Sequence, residues 1–169
     1  MRKQNRGKEF EGCIRQAFEN VPNVSFDRLP DPMAGYSGVR NICDFSMFQS
    51  PDMFYIECKC LYGNTLNYAG DITKNQWDGM TKKSKISHCV AGIFVWFIDY
   101  DITVFVDIID LNAHKKAGNK SLNIKDITGN DSIPHFILDG IKHRVKFSYF
   151  GEPALKKLHD ISNRRWGSK

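Results

Sequence analysis

The sequence predicts a mixed α/β domain in which a central β-sheet carries helices on its faces. Two alternating segments around Gln49-Ser50-Pro51-Asp52 read as a β-hairpin. Two nearly uninterrupted apolar runs, 89–98 and 102–109, read as mid-sheet strands covered on both sides. Amphipathic stretches before, between and after these strands read as helices. The 169 residues fit a single domain, 1–169, with a sizeable core.

Each element has a local reason. Phe10, Ile14, Ala17 and Phe18 recur at helical spacing and predict a helix over 8–19. Pro22, Pro30, Pro32, Gly35 and Gly38 make 21–41 loop-rich, with a short strand at 24–26. The hairpin follows at 42–48 and 53–60, then a loop at 63–70. Asp71-Ile72-Thr73 offers an N-cap for a helix over 73–84 with Trp77, Met80 and Thr81 inward. After the two apolar strands, 112–132 is polar, basic and glycine-containing, which predicts an exposed, mobile loop. A short strand is expected at 146–150. Pro153 sits in the first turn of a last helix running to about residue 160, and the basic tail 163–169 is expected to fray.

Composition narrows the class of protein. Hydrophobic residues make up 41% and charged residues 25%, the proportions of an ordinary globular chain. No apolar run approaches the roughly eighteen residues that span a membrane. The basic N-terminus leads into a polar, periodic segment, which argues against a signal peptide. The five cysteines are odd in number and scattered, and Cys58-x-Cys60 has strand spacing. They read as reduced thiols of a cytoplasmic protein. The net charge of +5 favours a polyanionic partner, with the excess at 2–8, 82–85, 115–125, 143–146 and 164–169. The five histidines have no ligand spacing and receive no metal role.

Chemistry concentrates on the hairpin. With Phe48 opposite Met53, counting back places Asp44 opposite Glu57, at a Cβ separation of about 4.5–5.5 Å. Cys43/Cys58, Phe45/Ile56 and Met47/Phe54 then share an apolar face. Two carboxylates that close repel, and a divalent cation between them relieves the repulsion. Asp44 and Glu57 are therefore candidate ligands for Mg²⁺, with Mn²⁺ as an alternative, leaving positions for water and a phosphate. Lys59 lies two residues beyond Glu57 and so on the same strand face. It could orient or deprotonate a water, or stabilise developing charge.

The order of these residues resembles the PD-(D/E)xK nuclease superfamily: a helical Glu11, then Asp44, then Glu57-Cys58-Lys59. Within it the chain looks like the RecU-type Holliday-junction resolvases. Asn5-Arg6-Gly7 with Glu11 resembles that family's opening motif. Asn75-Gln76-Trp77 resembles the motif carrying its active-site glutamine. Residues 91–95 and 104–106 resemble its central hairpin, and Gly118-Asn119-Lys120-Ser121 its basic loop. The resemblance covers most of the chain and implies a restriction-endonuclease-like fold, a mixed central sheet flanked by helices. It also implies a homodimeric endonuclease for branched DNA in recombination and repair, with Asp44, Glu57 and Lys59 catalytic and Glu11 and Gln76 supporting. Taken alone, Glu11 reads as a surface partner of Arg15; the resemblance gives it a role in holding metal-bound water. Arg6, Lys74, Lys115, Lys116 and Lys120 are candidate phosphate contacts.

The chain departs from the family at 20–43, where a junction-entering stalk is much shortened, and at Cys43, where the family tends to carry a hydroxyl residue. Two alternatives therefore stand beside the junction nuclease. One is the same chemistry on flaps, ends or specific duplex sites. The other is a non-catalytic junction-binding accessory protein, against which the intact Asp/Glu/Lys set argues.

Overall fold

The protein is described by a computed structural model covering residues 5–30 and 40–167. Part of the segment 20–43 (31–39) and the last two residues of the basic tail lie outside the described residues, as do residues 1–4.

Helix α1 (Arg6–Phe18) is capped by the Asn5 side chain, which accepts from the Lys8 amide at 3.3 Å. Its buried stripe is Phe10, Cys13, Ile14 and Phe18. Strand β1 (Ser25–Arg28) leads to the hairpin β2 (Phe45–Gln49) and β3 (Asp52–Leu61), in which Phe48 faces Met53 in the expected register. Then come β4 (Thr65–Asn67), α2 (Tyr68–Asp71) and α3 (Lys74–Lys83). These supply the crossover that a parallel pair needs. The central strands β5 (Cys89–Phe97) and β6 (Ile102–Asp107) are joined by a single 3₁₀ turn, Ile98–Tyr100. Helix α4 (Ile108–Lys116), β7 (Ser121–Asn123) and α5 (Ile124–Thr128) follow. Last are β8 (Phe136–Ile137), β9 (Gly140–Lys142), β10 (Phe147–Tyr149) and α6 (Gly151–Trp166).

The main sheet has the order β1-β2-β3-β5-β6-β8, antiparallel except for the parallel pair β3/β5. It is the mixed central sheet flanked by helices expected from the sequence. All nine residues of β5 are buried because both faces are covered. Val90, Phe94 and Trp96 pack with Phe10, Ile14 and Phe18 of α1 and Leu155 and Leu158 of α6. Ala91, Ile93, Val95 and Phe97 pack with Trp77 and Met80 of α3 and Leu111 of α4.

Several expectations are corrected. Residues 63–70 are not a plain loop but hold β4 and the start of α2, with Leu66 and Tyr68 buried. The second apolar run stops as a strand at Asp107, whose side chain accepts from the Ile109 amide at 2.8 Å and starts α4. The supposed loop 112–132 contains most of α4, all of β7 and all of α5. Its polar surface hides three buried anchors, Leu122, Ile124 and Ile127. Asn123 and Asp126 form a capping box that starts α5. Strand β10 pairs with β9 in a separate small sheet, not with the main one. The last helix begins at Gly151 and continues to Trp166, because Arg165 pairs with the buried Asp107 and Trp166 lies against His88.

The close approach of α6 to α1 requires a residue without a side chain. A Cβ at Gly151 would lie 1.8 Å from the Ala17 carbonyl oxygen, a backbone atom that cannot swing aside. Gly151→Ala is therefore expected to destabilise the fold by about 3 kcal/mol. A urea titration should show a lower midpoint at unchanged slope.

Candidate active site

Strand β3 presents Glu57 and Lys59 toward the layer that contains α3, in register with Ile93 and Val95 of β5. Glu57 is only 2% exposed. One of its oxygens, Oε1, accepts from Gln76 Nε2 at 2.6 Å and pairs with Lys59 Nζ at 2.8 Å. Its other oxygen, Oε2, is buried with no hydrogen-bond partner.

The local sequence of α3 explains why Gln76 points there. Thr73 is the N-cap and accepts from the Gln76 amide, while the Gln76 side chain returns to accept from the Thr73 amide at 3.0 Å. This capping box fixes Gln76 Oε1 and leaves its amide nitrogen to hold Glu57. Lys59 Nζ also lies 3.4 Å from Gln76 Oε1. Asn75, the neighbouring residue, donates to the carbonyls of Arg40 and Asn41 at 3.1 and 3.0 Å, tying the approach to Asp44 onto α3.

Asp44 is held from both sides. The Leu29 amide donates to its carbonyl at 2.8 Å, and its own amide donates to the Ile56 carbonyl at 3.0 Å. Ile56 faces Phe45 in the ladder, so regular pairing slips by one residue at Asp44. The slip turns Cys43 away from Phe45 and into the core beside α3, correcting its expected place on the Phe45 face. Asp44 Oδ2 accepts from the Cys58 amide at 2.7 Å, the residue between Glu57 and Lys59. Asp44, Glu57, Thr73, Asn75 and Gln76 line one cleft of about 220 Å³.

The electrostatics are those of a site short of positive charge. Burial pushes the Glu57 carboxyl up to about 7, and the nearby Asp44 charge adds to the shift while Lys59 opposes it. Burial likewise raises Asp44, opposed by the Cys58 amide and reinforced by Glu11. The adjacent thiols stay protonated: burial pushes Cys43 up to about 12 and Cys58 well above the ordinary thiol range. All five cysteines are free, as expected.

The donor set fits an oxygen-seeking divalent cation. Two neighbouring carboxylates, one with an orphaned buried oxygen, are opposed among the described residues by Lys59 and, at Asp44, by the charge of Arg28, yet both stay raised. Among the described residues no group of three or more His, Cys, Asp or Glu side chains could hold a metal ion. A two-carboxylate set matches Mg²⁺, which keeps several waters and takes one or two carboxylates plus phosphate oxygens.

The remaining candidates stand at varying distances. Glu11 reaches Arg28 of β1, at 3.2 Å, and not Arg15, which pairs with Glu19 at 3.6 Å. Its charge still acts on Asp44 and Glu57. Arg6 bonds Glu9 at 2.8 Å and the Val145 carbonyl at 3.0 Å. Lys74 pairs with Asp78 on the exposed side of α3. Lys115 lies 4.4 Å over the Trp77 ring, next to Gln76, while Lys116 and Lys120 are exposed at the end of α4 and just beyond it. Arg28, Thr73 and Asn75 join the site without having been assigned to it. Thr73 and Asn75 carried a signal, in the capping pattern and in the motif around Gln76; Arg28 carried none, since only the fold brings β1 to α1.

No protein-family model matches the chain, and no curated protein matches it by sequence. Among solved structures, the chain is similar to Hjc of Archaeoglobus fulgidus, a Holliday junction resolvase from an archaeal hyperthermophile. The match has a TM-score of 0.42 and 14% identity over 73% of this chain and 100% of that one.

Proposed function

We propose that the protein is a Mg²⁺-dependent DNA endonuclease that cuts branched DNA, four-way junctions included, and acts as a homodimer. One observation carries the proposal. The buried Glu57 has one oxygen oriented by Gln76 and Lys59 and the other left without a partner, beside the half-buried Asp44.

Asp44 and Glu57 would hold the cation, which when bound neutralises charge on a phosphodiester and acidifies water beside it. The residues themselves do the rest. Lys59, 2.8 Å from Glu57 Oε1, is placed to hold the attacking water by its ammonium group and to face the charge that grows on the phosphorus oxygens. Gln76 fixes the Glu57 carboxylate in one orientation. Glu11, once Arg28 yields it, would accept a hydrogen bond from a neighbouring water and hold it in place. Hydrolysis would proceed by in-line attack of water on phosphorus with cleavage of the P–O ester bond opposite, the attacking water giving a proton to solvent and the leaving sugar oxygen taking one from it. Two active sites related by a dyad would make the two symmetric cuts that resolve a junction.

Gln76→Ala is expected to lower the cleavage rate roughly 10–100-fold, since residues that orient metal ligands typically contribute that much. Loss of the capping box should also cost about 1 kcal/mol of stability. Rates and a urea midpoint measured on one preparation separate the two effects. The substrate is tested with end-labelled four-way junction, flap and linear duplex in Mg²⁺. Faster cutting of the junction, at paired positions on opposite strands, is the expected result. Equal cutting of all three would remove the branched-DNA assignment and leave the nuclease chemistry.

A further inference from the structure

Beside the catalytic residues, on the α1 side, is a second cleft of about 260 Å³ lined by Lys8, Glu11, Gly12, Arg15, Arg28 and Phe45. Lys8, Glu11 or Gly12, and Arg15 follow one another at helical spacing and share one face of α1. A Cβ at Gly12 would meet nothing within 4 Å, so the floor of the cleft is open there. Arg28 forms the opposite wall, opposite Phe45 in the β1/β2 ladder and bonded to Glu11 at 3.2 and 3.4 Å. The linings of the two clefts adjoin: Phe45 follows Asp44, Leu29, next to Arg28, donates to the Asp44 carbonyl, and the charges of Glu11 and Arg28 act on Asp44. Among the described lining residues three cations stand with one carboxylate, the reverse of the charge at the acidic centre.

We infer that this cleft is the path of the DNA strand next to the cut, with Lys8 and Arg15 holding its backbone phosphates and Arg28 passing from Glu11 to an incoming phosphate. The inference rests on the nuclease reading above. From Lys8 to Arg15 is about two helical turns, about 10 Å. A strand that rises about 3.4 Å per nucleotide presents more than one phosphate over that length. Arg15 gives up only a long contact to Glu19, 3.6 Å on an exposed surface. Arg28 leaving Glu11 would free that carboxylate only when DNA is present.

The test is binding of fluorescein-labelled four-way junction and duplex DNA, followed by anisotropy across a salt series with EDTA present so that nothing is cut. Lys8→Ala/Arg15→Ala is compared with wild type and with a charge-matched control, Lys82→Ala/Lys85→Ala, at the far end of α3. The cleft variant should bind roughly tenfold or more weakly, and its log–log salt slope should fall by about 1 to 2. The control should lie within about threefold of wild type. If the cleft variant matches the control while wild type still cuts DNA, this inference falls and the nuclease reading stands. If wild type neither binds nor cuts, both fall.

Discussion

Replacing Glu57 with Gln is expected to remove cleavage, by three orders of magnitude or more, and to make the cation-free protein more stable. The two effects share a cause. Glu57 is buried near Asp44, and its carboxyl is pushed up to about 7 in the folded chain against an ordinary value of 4.5. A folded carboxyl with a raised value holds its proton longer than the unfolded chain does. Its contribution to stability is therefore full below about 4.5 and is lost as pH rises through about 7. At pH 8 the ionised, cation-free site carries a deficit of about 3 kcal/mol. Glutamine keeps an oxygen for Gln76 and Lys59 and never ionises. Urea unfolding in EDTA at pH 5 and pH 8 should show wild type losing stability between them and Glu57→Gln losing much less. Equal pH dependence in the two proteins would contradict the buried-charge account.

Lys59→Met is the second large effect: cleavage should fall by two to four orders of magnitude, the range for a group positioned to assist proton transfer. A further consequence separates loss of chemistry from loss of fold. Lys59 opposes the upward shift of Glu57 by its charge and by its hydrogen bond. Without it, Glu57 ionises only at higher pH, so the acid limb of the remaining activity should move upward. A pH–rate profile in subsaturating Mg²⁺, where the cation competes with the Glu57 proton, reads this directly. An unshifted limb would mean that Lys59 does not act on Glu57.

Much of this site was legible from the sequence because it rests on local periodicity. Alternation around Gln49-Ser50-Pro51-Asp52 set the register from Phe48/Met53 to Phe45/Ile56, and the observed ladder follows it. Thr73 and Gln76 have the spacing of a capping box, and the helix starts there. The one-residue slip at Asp44 was not legible. It depends on β1 and α3 gripping the chain through Leu29 and Asn75, and those contacts are set by the fold. Residues 112–132 were misread for a related reason. Their surface is polar and their three anchors are spread over two short elements, so no single window shows a period, while the caps Asp107 and Asn123 do the organising. The end of α6 was misread because its order comes from Arg165 meeting Asp107, far away in sequence. Arg28 belongs to the same class, polar and placed beside Glu11 only by folding.

The histidines show the same limit. No ligand spacing marked them, and none joins the carboxylate site. Instead His88, just before β5, and His159, on α6, both bond the buried Asp52, at 2.9 and 2.5 Å, and fasten their segments to the hairpin end remote from Glu57. Sequence spacing excluded a local metal motif there but could not show a carboxylate shared by two distant rings.

The central claim is that Asp44 and Glu57 hold a divalent cation for hydrolysis of DNA. It is tested most directly by incubating a labelled four-way junction with wild type and with Glu57→Gln, each in Mg²⁺ and in EDTA. Cut strands are expected only with wild type in Mg²⁺. Cleavage by Glu57→Gln at the wild-type rate, or by wild type in EDTA, would contradict it, as would a wild type that binds the junction and cuts nothing in Mg²⁺.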